Sequence, residues 1–319
     1  MPIFQREKEM KPEISVVVPL YNEELVIEEM YKRLIIVLEK AEPEYEIILV
    51  NDGSKDRTCE MVKEICRQND RVKLISFSRN FGHQIAITAG MDRAVGKAVV
   101  VIDADLQDPP EIIPEMIKKW REGDKVVYGV REHRQGESRF KLLTAAVFYR
   151  IMKRMASVQI PVDTGDFRLI DRRVLNEFLR MRERSRFVRG MVSWVGFQQG
   201  KVSYSRDERF AGQTKYPFTK MLKFAIDGMV SFSQIPLRIS STLGLLSAVI
   251  SFVFMVYGLI IKYFFPEQAI PGWTSIFSGV LFLGGIQLIC LGVLGEYIGR
   301  IYEEIKKRPL YVVDEEVNF

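Results

Sequence analysis

Histidine and cysteine are scarce in this sequence, which holds two histidines and three cysteines among 319 residues. The cysteines, Cys59, Cys66 and Cys290, show neither the paired spacing of a zinc site nor the pattern of a disulfide framework. The sequence therefore supports neither a zinc centre nor a disulfide scaffold. Histidines this few also leave no obvious general base for catalysis.

Several nucleotide-binding and targeting signals are also missing. No Gly-x-Gly-x-x-Gly motif follows a strand pattern and no Walker lysine loop occurs, so dinucleotide and ATP binding lose their main support. The net charge of +5 is too small to indicate nucleic acid as a partner. Residues Met1 to Lys11 carry no long apolar core, so we predict no signal peptide and a cytoplasmic N-terminal domain.

Two long stretches without charge lie near the C-terminus, from Ile239 to Ile261 and from Ala269 to Gly295. Each exceeds the roughly 20 apolar residues that span a bilayer. The short connection, Lys262 to Gln268, predicts a hairpin in the cell membrane with both outer ends in the cytoplasm. Glycines within the spans would let helices of two subunits approach closely, which allows a homo-oligomer. Basic residues cluster outside the hairpin, at Lys220, Lys223, Arg238, Arg300, Lys306, Lys307 and Arg308.

The N-terminal half alternates short apolar runs with segments of helical period, which predicts an α/β fold with a mostly parallel sheet. Ligands of such sheets bind at the carboxyl ends of the strands, so the residues after each run are the candidate site. The predicted strands are Ile14 to Val18, Glu46 to Val50, Val72 to Ile75, Ala98 to Ile102 and Lys125 to Tyr128, and the stripe Ile27, Met30, Leu34 and Val37 predicts a helix that covers them.

The most informative run spans Asp103 to Pro110, directly after the fourth predicted strand. Asp103, Asp105 and Gln107 offer two carboxylates and a carboxamide at alternate positions, which are oxygen ligands suited to Mg²⁺ or Mn²⁺. Such a cation would stabilise a departing diphosphate. A capped turn, with Asp108 at the start of the next helix, accounts for part of the same run.

Polar residues also follow the first two strands. Tyr21 could stack on a base, Asp52 could accept from a base or a ribose hydroxyl, and Gly53 allows close backbone approach. The ends of three predicted strands thus present nucleotide-binding groups to one crevice.

Residues 19–24, 52–54 and 103–110 resemble the inverting family-two glycosyltransferases of GT-A fold, in the branch that includes dolichol-phosphate mannose synthase and bacterial polyprenyl-phosphate glycosyltransferases. The resemblance covers nearly the whole chain. It implies a GT-A, Rossmann-like domain over residues 1–215, a juxtamembrane amphipathic helix at 216–235, a two-span hairpin at 236–298 and a cytoplasmic tail at 299–319.

The resemblance also implies roles for individual residues. The metal ligands would be Asp103, Asp105 and Gln107. The nucleotide sugar would contact Pro19, Tyr21, Glu23, Asp52, Asp103, Ala104, Arg209 and Lys215, and the catalytic groups would be Asp105, Asp166 and Arg131. The acceptor phosphate would lie against Arg131, Arg134 and Ser138.

The chemistry of a phosphate acceptor agrees with these roles. A phosphate monoester has a second pKa of about 6 and needs no strong base at neutral pH, so position and charge compensation suffice. Arginine forks match phosphate oxygens, although a solvated basic loop is the commoner origin of a run such as 131–139. Asp166 could orient a sugar hydroxyl or the reacting phosphate, and a structural ion pair with Arg168 explains the same residues equally well.

Together with this chemistry, the resemblance implies a metal-dependent transfer of a hexose, with glucose from UDP-glucose as the first choice, to undecaprenyl phosphate at the cytoplasmic membrane face. Two alternatives are a processive polysaccharide synthase and a non-catalytic scaffold that binds nucleotide sugars. The Gln-x-x-Arg-Trp motif of processive synthases is absent, because Trp120, Trp194 and Trp273 follow Lys119, Ser193 and Gly272. Intact metal-ligand residues argue against the scaffold.

Overall fold

The computed structural model describes residues 12–42, 44–131, 164–204, 235–264 and 272–319. Its centre is an eight-stranded sheet in the order β7-β5-β6-β4-β1-β2-β3-β8. The strands are β1 (Ile14–Leu20), β2 (Tyr45–Asn51), β3 (Val72–Phe77), β4 (Ala98–Val101), β5 (Val126–Arg131), β6 (Thr164–Asp171), β7 (Gln199–Tyr204) and β8 (Val313–Val317).

The sheet is mostly parallel, as the sequence predicts. β4, β1, β2 and β3 are parallel neighbours, and β7 is parallel to β5. β6 runs antiparallel to both β4 and β5, and β8 runs antiparallel to β3. The central strands β1, β2 and β4 are buried along their whole length because helices cover both faces, which explains their continuous apolar runs.

Helices follow most strands. They are α1 (Ile27–Ala41), α2 (Thr58–Gln68), α3 (His83–Arg93), a 3-10 turn at Pro110–Ile112, α4 (Ile113–Glu122), α5 (Arg172–Arg180), α6 (Val188–Trp194), α7 (Ile235–Phe264) and α8 (Trp273–Ile305). α1 buries the predicted stripe of Ile27, Met30, Leu34 and Val37 against the sheet, which confirms that helix.

The start of α4 differs from the prediction that Asp108 caps it. Neither the 3-10 turn nor α4 has a side-chain hydrogen bond at its N-cap. Asp108 is buried and its carboxylate accepts from the Tyr204 hydroxyl instead. A buried carboxylate needs such a donor, so this residue ties the turn to β7.

The described residues form two compact units. The sheet and its helices make one unit, to which residues 308–319 belong, and α7 with α8 makes the other. The sequence predicts a tail at 299–319, and the structure adds that residues 313–317 form the edge strand β8.

α7 and α8 contact each other, and the Cys290 thiol donates to the Ser240 carbonyl at 3.3 Å. By length and composition, Phe282–Ile305 is the one helix among the described residues that is long and apolar enough to cross a membrane, and Ile239–Phe254 is a shorter apolar stretch. The two-span hairpin therefore stays a prediction.

The described glycines do not bring α7 and α8 into close contact, and their predicted role in a homo-oligomer stays a prediction. Apart from the nearby backbone of its own helix, a Cβ placed on any of six of these glycines would meet no described atom within 4 Å. These positions are Gly244, Gly279, Gly284, Gly285, Gly292 and Gly295. The juxtamembrane helix predicted at 216–235 falls almost wholly outside the described residues.

Candidate active site

The carboxyl ends of four parallel strands meet at one edge of the sheet. The loops that follow β1, β2, β3 and β4 comprise residues 21–26, 52–57, 78–82 and 102–109. In an open parallel sheet this edge is where ligands bind. The predicted site residues from Tyr21 to Gln107 all lie in these loops, and Pro19 is buried inside β1.

Hydrogen bonds join the loop after β1 to the loop after β2. The Asn22 amide donates to Ser54 Oγ at 3.0 Å, the Lys55 amide donates to Asn22 Oδ1 at 2.9 Å, and the Glu23 amide donates to Thr58 Oγ1 at 2.8 Å. Asn22 has a φ of 53°, in the left-handed region that asparagine tolerates. The two loops therefore form one fixed wall that carries the half-buried side chains of Tyr21 and Glu23.

Asp52 binds the loop after β3. Its two carboxylate oxygens accept from the Phe81 amide at 2.6 Å and from the Gly82 amide at 2.9 Å, and Asn80 Nδ2 donates to its carbonyl at 3.2 Å. Burial raises the pKa of Asp52, and the two amide donors offset part of that rise. Asp52 thus has a structural task besides its predicted role toward a nucleotide, which stays a prediction.

The close approach of these loops depends on Gly53. It has a φ of +63°, and a Cβ at this position would lie 2.5 Å from the Arg79 carbonyl carbon and 2.7 Å from the Asn80 nitrogen. Only glycine fits such a conformation without displacing backbone. Gly53 thus permits close approach of the protein's own loop, and close approach of a nucleotide there stays a prediction.

The turn after β4 alternates in burial. Ala104, Leu106 and Asp108 are buried, whereas Asp103, Asp105 and Gln107 are half-exposed. Leu106 adopts a φ of 59°, and the Gln107 amide donates to Asp105 Oδ1 at 3.2 Å, which holds the turn. The three predicted metal ligands therefore share the outward side. Ala104 packs its methyl group in the core, so only its backbone can face a ligand.

This turn fits a divalent cation. Asp103 Oδ1 is buried and meets no hydrogen-bond donor among the described residues, although His83 Nε2 lies 3.3 Å away. No group of three or more His, Cys, Asp or Glu side chains suited to a metal comes together in the described ranges. Magnesium often uses one or two carboxylates and completes its shell with water and substrate phosphates, so two carboxylates and a carboxamide match that chemistry.

Asp166 lies at the centre of a network that the sequence did not reveal. The Arg189 guanidinium donates two hydrogen bonds to Asp166, from Nε to Oδ1 at 2.9 Å and from a terminal nitrogen to Oδ2 at 3.2 Å. Gln84 Nε2 donates to Oδ2 at 3.1 Å, and His83 Nε2 lies 3.4 Å from the same oxygen. The Val188 amide donates to Gln84 Oε1 at 3.0 Å, so the network joins α3, β6 and α6.

Charge balance sets the ionisation of this network. Burial alone would raise the pKa of Asp166, but Arg189 and His83 outweigh it and hold the pKa well below its ordinary value. Burial lowers the pKa of His83, whereas the carboxylates of Asp103 and Asp166 hold it well above its ordinary value. Asp166 is therefore held as an anion, with Arg189 and His83 facing its two carboxylate oxygens.

The predicted ion pair of Asp166 with Arg168 is present, but it is long and is not the main contact of either residue. The Arg168 guanidinium lies 3.8 Å from Asp166 Oδ1 and donates instead to the Gly165 carbonyl at 2.9 Å. The main partner is Arg189, and nothing in its local sequence indicates this contact. His83 carried a signal, as one of only two histidines and the first residue of α3.

The remaining predicted residues lie at or beyond the limits of the described chain. Arg131 ends β5, and its backbone alone is described. Arg134, Ser138, Arg209 and Lys215 lie outside the described residues. Their roles toward phosphates stay predictions.

Comparison with known proteins identifies the family. Residues 15–179 match the family described as Glycosyl transferase family 2, and residues 235–301 match the GtrB C-terminal hairpin. The chain is 57% identical over 299 residues to the uncharacterized glycosyltransferase YkcC of Bacillus subtilis (strain 168), covering 94% of this chain and 92% of that protein. It is 43% identical over 300 residues to the bactoprenol glucosyl transferase of Shigella phage SfII, covering 94% and 97%.

Among solved structures, glucosyl-3-phosphoglycerate synthase from Mycobacterium tuberculosis, in complex with phosphoglyceric acid, is 18% identical with a TM-score of 0.48, covering 69% of this chain and 79% of that one. The family match covers more than half of this chain, and the relatives match it nearly end to end. The chain therefore belongs to glycosyl transferase family 2 and is a glycosyltransferase.

Proposed function

We propose that the protein transfers one glucose from UDP-glucose to a polyprenyl phosphate at the cytoplasmic face of the cell membrane, with inversion at the anomeric carbon. The observation that carries the proposal is the turn after β4, which turns Asp103, Asp105 and Gln107 outward at the edge that also holds Asp52. A relative named bactoprenol glucosyl transferase, 43% identical over 94% of this chain, supports the choice of sugar and acceptor.

On the donor side, we assign Asp103, Asp105 and Gln107 to a divalent cation, Mg²⁺ or Mn²⁺. When bound, such a cation supplies positive charge to the diphosphate as it leaves. Tyr21 and Glu23 lie on the wall formed by the loops after β1 and β2, where the base and ribose would lie. These loops are fixed by hydrogen bonds in advance, so little ordering cost accompanies donor binding.

On the acceptor side, the phosphate itself is the nucleophile. One of its oxygens forms a bond to the anomeric carbon while the bond from that carbon to the UDP oxygen breaks, and UDP leaves with that electron pair. No proton needs to be removed, because the second pKa of a phosphate monoester is about 6. We assign Arg131, Arg134 and Ser138 to the acceptor phosphate, Arg209 and Lys215 to donor phosphates, and Asp166 to orientation of the sugar or of the phosphate.

The acceptor's lipid chain requires a membrane, and α7 and α8 supply apolar surface for it. Large apolar side chains on both helices are exposed, including Leu245, Phe254 and Leu288 at 69, 69 and 71%. The chain leaves the sheet after β7 and returns to it as β8. A segment that starts and ends in one folded sheet must cross a bilayer an even number of times, which supports two spans rather than one.

A transfer assay distinguishes the proposal from its two alternatives. Purified full-length protein is mixed with radiolabelled UDP-glucose, undecaprenyl phosphate in detergent, and MnCl₂ or MgCl₂. We expect UDP release in equal amount to label that enters an organic-soluble lipid, and no transfer after EDTA. A scaffold would bind UDP without turnover, and a processive synthase would place label in polymer.

Donor choice is tested in the same assay. UDP-glucose is compared with UDP-N-acetylglucosamine and GDP-mannose at equal concentration, and NMR of the product reports the configuration at the anomeric carbon. We expect the highest kcat/KM for UDP-glucose and an inverted product. Failure of all three donors with either metal would contradict the proposal.

A further inference from the structure

The C-terminal segment, residues 308–319, is attached to the edge of the sheet beside the candidate site. β8 pairs antiparallel with β3, and Val313 stands opposite Phe77. The Ser78 amide then donates to the Val312 carbonyl at 3.1 Å. The pairing thus continues to the first residue of the loop whose amides bind Asp52.

Side chains fix the far end of this segment. Glu315 forms an ion pair with Lys63 at 2.5 Å. Asn318 Nδ2 donates to the carbonyls of Cys66 and Val72, both at 2.8 Å. A strand with two adjacent glutamates is therefore held by specific partners on α2 and β3, in addition to Val317, which packs against the core.

The near end of the segment contributes an aromatic side chain. The Tyr311 ring stacks on Phe77, with centroids 5.1 Å apart and an interplanar angle of 21°. Phe77 in turn meets Phe81 edge to face at 5.6 Å and 85°. Such pairs contribute to stability beyond their buried area. Three rings thus connect the C-terminal segment to the loop after β3.

This connection reaches both Asp52 and the helix that contacts the Asp166 network. Phe81 is the residue whose amide donates to Asp52 Oδ1 at 2.6 Å. The Tyr311 hydroxyl donates to Asp92 Oδ2 at 2.9 Å, near the end of α3. The first residues of α3, His83 and Gln84, contact the Asp166 network. One tyrosine therefore contacts both elements that frame the loop of residues 78–82.

We propose that Tyr311 is a positioning residue for donor binding, which holds the 78–82 loop against Asp52 through Phe77 and Phe81. The inference rests on the proposed function in one respect, because it takes the pocket at Asp52 as the place of the donor nucleotide. Its structural half, the fixing of the loop by the C-terminal segment, is independent of any ligand.

A simpler role for the segment is to cover the edge of β3, which would otherwise expose unpaired backbone groups. That role needs the backbone of β8 and not the Tyr311 ring. Substitution of the Tyr311 ring distinguishes the two roles. Only the positioning role predicts that the loop of residues 78–82 loosens and that donor binding weakens.

Hydrogen exchange tests the structural half without donor or metal. Full-length wild type is compared with Tyr311→Ala, Tyr311→Phe and Phe319→Ala. The Phe319 variant is the matched control, because it removes another aromatic ring of the same segment, one that lies near Lys73 and Arg93. We expect the Phe81 and Gly82 amides to exchange about tenfold faster in Tyr311→Ala. Tyr311→Phe and Phe319→Ala should keep wild-type exchange there, because both retain the stacked ring.

Kinetics test the donor half. In Tyr311→Ala, KM for the donor accepted by the wild type should rise about tenfold, while kcat and KM for the polyprenyl phosphate stay within about twofold. Tyr311→Phe should restore the donor KM. Unchanged exchange of Phe81 and Gly82 in Tyr311→Ala overturns the proposal, and so does an equal effect in Phe319→Ala. A wild type that accepts no donor, with the exchange result intact, contradicts the proposed function and leaves the fixing of the loop established.

Discussion

At the scale of single residues, the turn after β4 gives neighbouring side chains opposite tasks. Leu106 packs in the core with a left-handed backbone, and this conformation turns Asp105 outward beside Gln107. Asp105 also accepts from the backbone of its own turn, so its carboxylate is oriented before a ligand arrives. Orientation in advance is what makes one carboxylate effective at a diphosphate.

We expect Asp105→Asn to lower transfer by at least about a hundredfold, because the neutral amide cannot compensate the charge of a divalent cation. The exposed Asp70, between α2 and β3, offers a matched control in Asp70→Asn. Transfer kinetics and Mn²⁺ binding by electron paramagnetic resonance check the outcome. Near-normal turnover of Asp105→Asn with metal present would contradict the assignment of Asp105 as a metal ligand.

Arg189→Lys should lower kcat by about tenfold or more, because an ammonium cannot reproduce the two parallel bonds to Asp166. Asp166 is 5% exposed at its side chain, so a poorly paired carboxylate there should also lower the melting temperature. Arg180→Lys is the control, since that arginine pairs with Glu177 at the surface. Kinetics together with thermal unfolding report both effects, and equal behaviour of the two variants would show that the pairing is dispensable.

The site was only partly predictable for a physical reason. Asp103 and Asp105 follow an apolar strand directly, so their place at the sheet edge follows from local sequence. Arg189 is 23 residues from Asp166, with one helix between them, so the contact exists only after the chain has folded. The cap expected at Asp108 failed because burial beside Tyr204 gave that carboxylate a different donor.

At the scale of elements, packing of α3 against β1 positions His83 and Gln84, the two residues of α3 that contact the Asp166 network. Gly90 lies so close to this strand that a Cβ would come 2.2 Å from Val17 Cγ1. The predicted strands and α1 appear because apolar periodicity specifies them locally. β8 could not be predicted, because its sequence, Val-Asp-Glu-Glu-Val, is acidic and becomes a strand only through pairing with β3 and the cations nearby.

We expect Gly90→Ala to destabilise the sheet domain by about 1–3 kcal/mol, since the added methyl group overlaps Val17. Val17→Ala removes both methyl groups that the new Cβ would meet. The double variant should therefore be more stable than the sum of the two single effects, by about 1 kcal/mol. Chemical denaturation of all four proteins measures this coupling, and strict additivity would mean that α3 can shift away from β1.

At the scale of the whole molecule, the connectivity of the sheet limits the membrane topology. β7 precedes α7 in the chain and β8 follows α8, and both strands belong to one sheet. A single crossing would place β8 across the bilayer from β3, with which it pairs. The segment 235–305 therefore crosses either twice or not at all, and these outcomes can be separated.

Cysteine labelling in intact bacteria separates them. In a chain carrying Cys59→Ala, Cys66→Ala and Cys290→Ala, Gln268→Cys lies in the sequence between α7 and α8, and Asp70→Cys marks the sheet domain. With two crossings, a membrane-impermeant maleimide should label Gln268→Cys in intact cells and Asp70→Cys only after permeabilisation. Protection of both positions would mean that the helices lie on the cytoplasmic surface, and the lipid acceptor would then reach the Asp105 turn without a membrane-spanning anchor.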